Sequence, residues 1–133
     1  MSIDFSLTPE IEEIRSRVRA FIDDVVKPTE ARIQSEGLEH DDRDAYLHAL
    51  LGMRKQAYDA GLWLPHMPAE WGGMGLGHVE LAMVQAEAAK SYYGPWVLNC
   101  QAPDEGNMHT LLHWATDAVI SPSTSSTRRS SSV

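Results

Sequence analysis

The chain has 133 residues, 43% of them apolar, enough for one domain with a core but marginal for two. Nineteen acidic residues against eleven basic ones give a formal charge of -8, which repels phosphate backbones and anionic headgroups, so nucleic-acid and membrane-surface binding are set aside. The single cysteine, Cys100, allows no internal disulfide and supplies too few ligands for a Cys-based zinc site.

The opening MSIDFSLTPEIEE is acidic and carries neither the basic nor the apolar region of a secretory signal. No apolar run approaches the ~20 residues that span a bilayer. A cytoplasmic protein is expected.

Thr8 is a good N-cap and Pro9 a good first helical residue, with Glu10, Glu12 and Glu13 where the helix dipole favours negative charge. Ile11, Ile14, Val18, Phe21, Ile22 and Val25 recur at three- and four-residue steps. They predict a helix over 9–27, interrupted at Pro28. A shorter helical piece is expected from Pro28 to Ser35, stopped by Gly37. Residues 36–44, EGLEHDDRD, read as a charged loop ending in a cap. From Asp44 a second helix presents Tyr46, Leu47, Leu50, Leu51, Met53, Arg54, Ala57 and Tyr58, and Gly61 closes it in the left-handed position after its end.

The stretch 59–80, DAGLWLPHMPAEWGGMGLGHVE, threads Trp63, Leu64, Met67, Trp71, Met74 and Leu76 among prolines and glycines. A solvated linker would not carry so much apolar surface, so a packed, shaped loop is expected. The next helix, HVELAMVQAEAAKSYY, places Val79, Ala82, Met83, Ala86, Ala89 and Tyr93 on one face, with Gly94-Pro95 as its stop. Helix is again expected around Val97–Gln101, a turn at Ala102-Pro103-Asp104, and a last helix with Met108, Leu111, Leu112 and Ala115 inward. No alternating β-branched run is long enough for a strand, so the body is read as all-α. After Asp117 the composition changes to AVISPSTSSTRRSSSV. This Ser/Thr-rich tail, 118–133, is expected to be irregular, or an accident of cloning or reading frame, and 1–117 the domain.

No catalytic set is complete. GGMGLG lacks both the dinucleotide spacing and a following Lys-Ser/Thr pair, so a structural turn is favoured over a phosphate cradle. His109 and His113 share a helical face, but Thr110 stands where a metalloprotease has its base. His40, Asp41, Asp42, Asp44 and His48 read as solvated charges about a helix start, and no metal site is expected. Cys100 is read as a small buried hydrophobe rather than a nucleophile. Trp63, Trp71 and Trp96 are read as core or interface.

Gly61-Leu62-Trp63-Leu64-Pro65 with Pro68-Ala69-Glu70-Trp71-Gly72-Gly73-Met74-Gly75 resembles the Gly-rich signature near the start of acyl-CoA dehydrogenases. Asn99-Cys100-Gln101-Ala102-Pro103-Asp104-Glu105-Gly106-Asn107-Met108 is similar to the branch whose long members fuse a kinase-like domain to the dehydrogenase. The resemblance covers residues 3–117. It implies an all-α, up-down bundle-like N-terminal domain, followed in the family by a β-barrel-like middle domain and a C-terminal four-helix bundle. It also implies FAD held between those two later domains, acyl-CoA as substrate, a 2-enoyl-CoA product and a homo-oligomer. The flavin-binding segments and the catalytic glutamate of the family belong to regions beyond Asp117, so no residue here is assigned either role. This chain alone is expected to hold no FAD and to be inactive. Asn99, Cys100 and Gln101 are implied as part of the acyl-pocket wall. An alternative from another class is a non-catalytic helical association module.

Overall fold

The computed structural model describes residues 7–116. The Ser/Thr-rich stretch 118–133 lies outside the described residues. Thr8 caps helix α1 (Pro9–Phe21), its hydroxyl accepting the Ile11 N–H at 3.4 Å. Pro28 does not end the helical run as expected. The chain passes through a wide π turn (Ile22–Val26) directly into α2 (Lys27–Ser35), with Pro28 in the first turn of α2. A proline inside a helix lacks an N–H and crowds the carbonyl four residues back. The widened turn relieves both demands, as Lys27 N–H reaches back five residues to the Ile22 carbonyl and the Thr29 hydroxyl donates to the Val25 carbonyl at 2.8 Å. The extra residue also shifts the buried face, so that Val26 is fully enclosed and Val25 only partly.

Gly37 ends α2 with φ +64°. The expected loop at 36–44 contains a short helix, α3 (Leu38–Asp41), because Leu38 can reach the core from there. The Asp42 carboxylate accepts the Ala45 N–H at 2.9 Å and caps α4 (Arg43–Asp59). In α4 only part of the expected stripe is buried: Leu50, Met53 and Ala57 face the core, joined by Ala49, which was not expected there, while Leu47, Leu51 and Tyr58 are exposed. Leu47, Leu51 and Tyr58 form a second stripe, turned about 100° away by the helical repeat. Gly61 closes α4 at φ +67°, as predicted. Its N–H donates to Tyr58 O at 3.0 Å and Leu62 N–H to Ala57 O at 2.9 Å, so two orphan carbonyls are satisfied.

The Gly-rich stretch is packed. Leu62, Pro65, His66 and Met67 are buried, and a short 3-10 turn (Ala69–Trp71) leads into the glycines. Helix α5 (His78–Ala88) packs along α1. Its orientation departs from the sequence expectation: Leu81, Val84, Glu87 and Ala88 are buried, and of the expected face Val79, Ala82, Ala86 and Ala89 point outward, Met83 is half-buried and Tyr93, beyond the helix end, is buried. Glu87 explains the departure, because its carboxylate is met by cations on α1, which fixes the helix rotation. Gly94-Pro95 opens α6 (Gly94–Val97) rather than stopping α5, which has already ended at Ala88. A Cβ at Gly94 would lie 2.0 Å from the Ala88 carbonyl oxygen, so only glycine fits that crossing. The helical turn expected over 97–101 stops at Val97, and Asn99 follows with φ +55°.

The chain divides into two compact units after Gln101. The first holds α1 to α6 and a core of Val18, Ile22, Val26, Ile33, Met53, Val84, Val97 and Leu98. The second holds α7 (Asp104–Trp114), in which Leu111, expected inward, is exposed together with Trp114. A single amphipathic stripe cannot be oriented by periodicity alone when its helix forms a unit of its own. Among the described residues there is no strand, and no helix is long and apolar enough to cross a membrane.

Candidate functional site

The segment 96–101 is tied down by its own carbonyls. Trp96 O accepts from Arg54 Nε at 3.2 Å and Nη2 at 3.1 Å. Leu98 O accepts the Leu64 N–H at 3.1 Å. Asn99 O lies 3.1 Å from His66 Nε2, which donates when that nitrogen carries the proton. Cys100 O accepts from Gln85 Nε2 at 3.1 Å, and Cys100 N–H donates to Pro95 O at 2.9 Å. Donors from α4, the Gly-rich stretch and α5 therefore converge on one short length of backbone and fix its position.

The three residues singled out from the sequence take different places on it. Asn99 sits in the left-handed region, which asparagine tolerates, and its Oδ1 is buried with no protein donor in reach. Cys100 turns its thiol into the apolar core, where a cysteine is inert. Gln101 lines a cleft of about 340 Å³ with Tyr46, Leu50, Tyr92, Tyr93 and Trp96. Tyr46 and Tyr93 meet at 6.4 Å between ring centroids with planes 61° apart, and Tyr92 and Tyr93 at 5.0 Å and 85°. Burial, then the hydrogen bond with Tyr46, pushes the Tyr93 phenol above its ordinary value. A second hollow of about 420 Å³ is bordered by Tyr58, Gly61, Trp63, Gly72, Gly73 and Met74.

Two tryptophans flagged in the sequence, Trp63 and Trp96, hold Arg54: its guanidinium carbon is 5.1 Å from the Trp63 ring centroid and 3.6 Å from that of Trp96. The GGMGLG run is a structural turn. The N–H groups of Gly72, Gly73, Met74, Gly75 and Leu76 donate to carbonyls at Ala69, Pro68, Leu64, Met67 and Pro65, so they point inward rather than at a ligand. Glu87 is 2% exposed and accepts from Arg15, Arg19 and Lys90. Arg19 above all holds its carboxyl well below the usual carboxylate range, against the opposing pull of burial. No three His, Cys, Asp or Glu side chains gather to hold a metal among the described residues.

Sequence reasoning passed over Arg54, His66 and Gln85 as supports and Tyr46, Tyr92 and Tyr93 as lining. The signal available was the aromatic run Tyr92-Tyr93 close to Trp96 across a Gly-Pro corner.

The model of the acyl-CoA dehydrogenase N-terminal domain matches residues 8–121. Acyl-CoA dehydrogenase family member 11 of Homo sapiens is 31% identical over 110 residues, covering 80% of this chain and 14% of that protein. The Rattus norvegicus protein of the same name is 32% identical over 103 residues, 75% of this chain and 13% of its own length. Acyl-CoA dehydrogenase family member 10 of Mus musculus is 29% identical over 116 residues, 84% of this chain and 11% of that protein. A solved structure assigned as an acyl-CoA dehydrogenase from Mycobacterium abscessus superposes with a TM-score of 0.72 at 30% identity, over 85% of this chain and 30% of that one. The chain thus spans about a seventh or less of these curated relatives and under a third of the solved structure.

Proposed function

The chain belongs to the acyl-CoA dehydrogenase family, through that family's N-terminal domain, and from this we propose that it supplies the N-terminal helical layer of an enzyme oxidising acyl-CoA to 2-enoyl-CoA. The observation that carries the reading is the tied-down segment 96–101. In this reading Asn99 and Gln101 contribute to the wall of the acyl pocket, with Cys100 holding the wall to the core. The domain runs to Asp117, the compartment is the cytoplasm, and the assembled enzyme is a homo-oligomer.

Acyl-CoA dehydrogenases generally draw on FAD for the redox step. The residues here do not fit its pyrophosphate, because the N–H groups of the Gly-rich turn are already spent on backbone carbonyls. The flavin and the proton-abstracting carboxylate are therefore assigned to parts of the enzyme outside this domain, and the chain alone is catalytically silent. Purified chain incubated with FAD and acyl-CoA is expected to retain no flavin on gel filtration and to reduce no electron acceptor. Stoichiometric flavin with turnover would overturn that. A chimera with residues 8–116 replacing the matching segment of the Mycobacterium abscessus neighbour is expected to bind flavin and turn over acyl-CoA. A folded chimera unable to do either would count against the domain assignment.

A second reading, a helical association module, is favoured by the outward apolar stripe of α4 and face of α5, where Leu51 is 60% and Val79 57% exposed. Light scattering coupled to size exclusion tests it: a strict monomer at every concentration removes this reading.

A further inference from the structure

We propose that the cleft formed by Tyr46, Leu50, Tyr92, Tyr93, Trp96 and Gln101 binds an uncharged planar aromatic ring with a hydrogen-bonding edge. The cleft shares Gln101 with the acyl-pocket wall read above, but the inference does not rest on that reading, since this unit alone supplies the cleft.

Room comes first. An apolar cavity of about 150 Å³ takes benzene, so about 340 Å³ has space for a fused bicycle. Shape comes next. The tyrosine planes stand at 61° and 85° to one another. A flat ligand that stacks on one wall therefore meets the next by its edge, and both are favoured aromatic arrangements. A saturated ring gains neither.

Charge then narrows the class. Aromatic walls ordinarily invite a cation, but Arg54 already stands 3.6 Å from the Trp96 ring centre. A second cation in the cleft would lie close to that guanidinium and repel it. An anion would find no cationic side chain among the lining residues to pair with it. The lining itself is tyrosine, leucine, tryptophan and glutamine, with no formal charge on the walls. What remains is an uncharged ring. Gln101 is the amide among the lining residues, and it offers a donor pair and an acceptor to the ligand's polar edge.

The test uses the full chain, with benzimidazole as probe at mildly alkaline pH, where it is uncharged. Cyclohexylmethanol serves as a non-planar comparator and tetramethylammonium as a cationic one. Saturation-transfer NMR titration is expected to give saturable binding of benzimidazole and much weaker binding of the comparators. Gln101→Leu should weaken benzimidazole roughly three- to ten-fold, the effect of one hydrogen bond to a neutral group. Tyr92→Ala should weaken it at least as much, and Tyr92 is 82% exposed, so its removal leaves the fold intact. Tyr58→Ala, outside the cleft lining, should leave it unchanged. Adenine and phenylacetamide, run as further arms, assign the ring to a purine or an aryl-acyl source. Equal or tighter binding of either comparator, indifference to both cleft variants, or no saturable binding up to about 10 mM would overturn the proposal.

Discussion

Arg54 and Trp96 are joined twice, once through the side chain and once through the backbone. The guanidinium carbon lies 3.6 Å from the indole centroid, and Nε and Nη2 of the same group donate to the Trp96 carbonyl at 3.2 and 3.1 Å. One side chain on α4 thus fixes both the ring and the backbone of the last residue but one of α6. The 96–101 segment inherits its position from that clamp.

Arg54→Lys keeps the charge but loses the planar fork and the stacking face. It is expected to destabilise the chain by about 2 kcal/mol, two charge-assisted bonds and a stacked cation being replaced by one point contact. Urea denaturation followed by tryptophan fluorescence measures this. A loss under about 0.5 kcal/mol, the range of an ordinary surface change, would show that the clamp does not set the segment.

Glu87 is the buried end of a four-membered charge cluster whose cations, Arg15, Arg19 and Lys90, are a third to half exposed. Glu87→Gln should cost about 2 kcal/mol, less than the ~3–5 of a fully enclosed pair because solvent screens the partners. The folded carboxyl titrates below its unfolded value. Its stabilisation is therefore complete above the unfolded carboxylate pKa of about 4.3 and is lost as pH falls toward the folded one. Denaturation midpoints at about pH 7 and about pH 3 should converge in Glu87→Gln relative to the parent. An unchanged acid limb in the variant would remove Glu87 as its source.

Local signals were readable where one residue type does one backbone job. Thr8 caps, Gly37 and Gly61 take positive φ, and the apolar Gly-rich stretch packs. Signals that depend on partners far along the chain were not. Arg15 and Arg19 meet Glu87 across 72 and 68 residues, and no periodicity announces that a glutamate will be the buried face of an alanine-rich helix. The cleft likewise needs Tyr46 from α4 to meet Tyr92, Tyr93 and Trp96, a convergence made by packing alone. Cys100 was legible as a small buried hydrophobe, whereas nothing in the sequence showed that Gln101 faces the cleft.

Gly73 and Gly72 stand side by side and separate two reasons for glycine. A Cβ at Gly73 would lie 2.1 Å from the Met67 oxygen and 2.7 Å from that of Leu64, whereas at Gly72 it meets nothing within 4 Å but would force φ +80° on an L-residue. Gly73→Ala is expected to cost about 3 kcal/mol through forced backbone displacement, and Gly72→Ala about 1 through torsional strain alone. Thermal melts of the two variants give the comparison. Equal losses would mean that the turn is not as closely packed as these distances require.

Val79 and Leu81 test the rotation of α5. The alanine-rich periodicity puts Val79 inside, yet it is 57% exposed and Leu81 is buried. Val79→Gln should then leave stability within about 0.5 kcal/mol, as for a surface position. Leu81→Ala should cost about 2–4 kcal/mol as a core truncation. The reverse order in urea denaturation would restore the alanine face to the core and leave Glu87 without its cations. Val79→Gln also bears on the association reading: if α5 docks a second chain, light scattering should show the mass falling while the fold is untouched. An unchanged oligomeric mass would clear that face of the role.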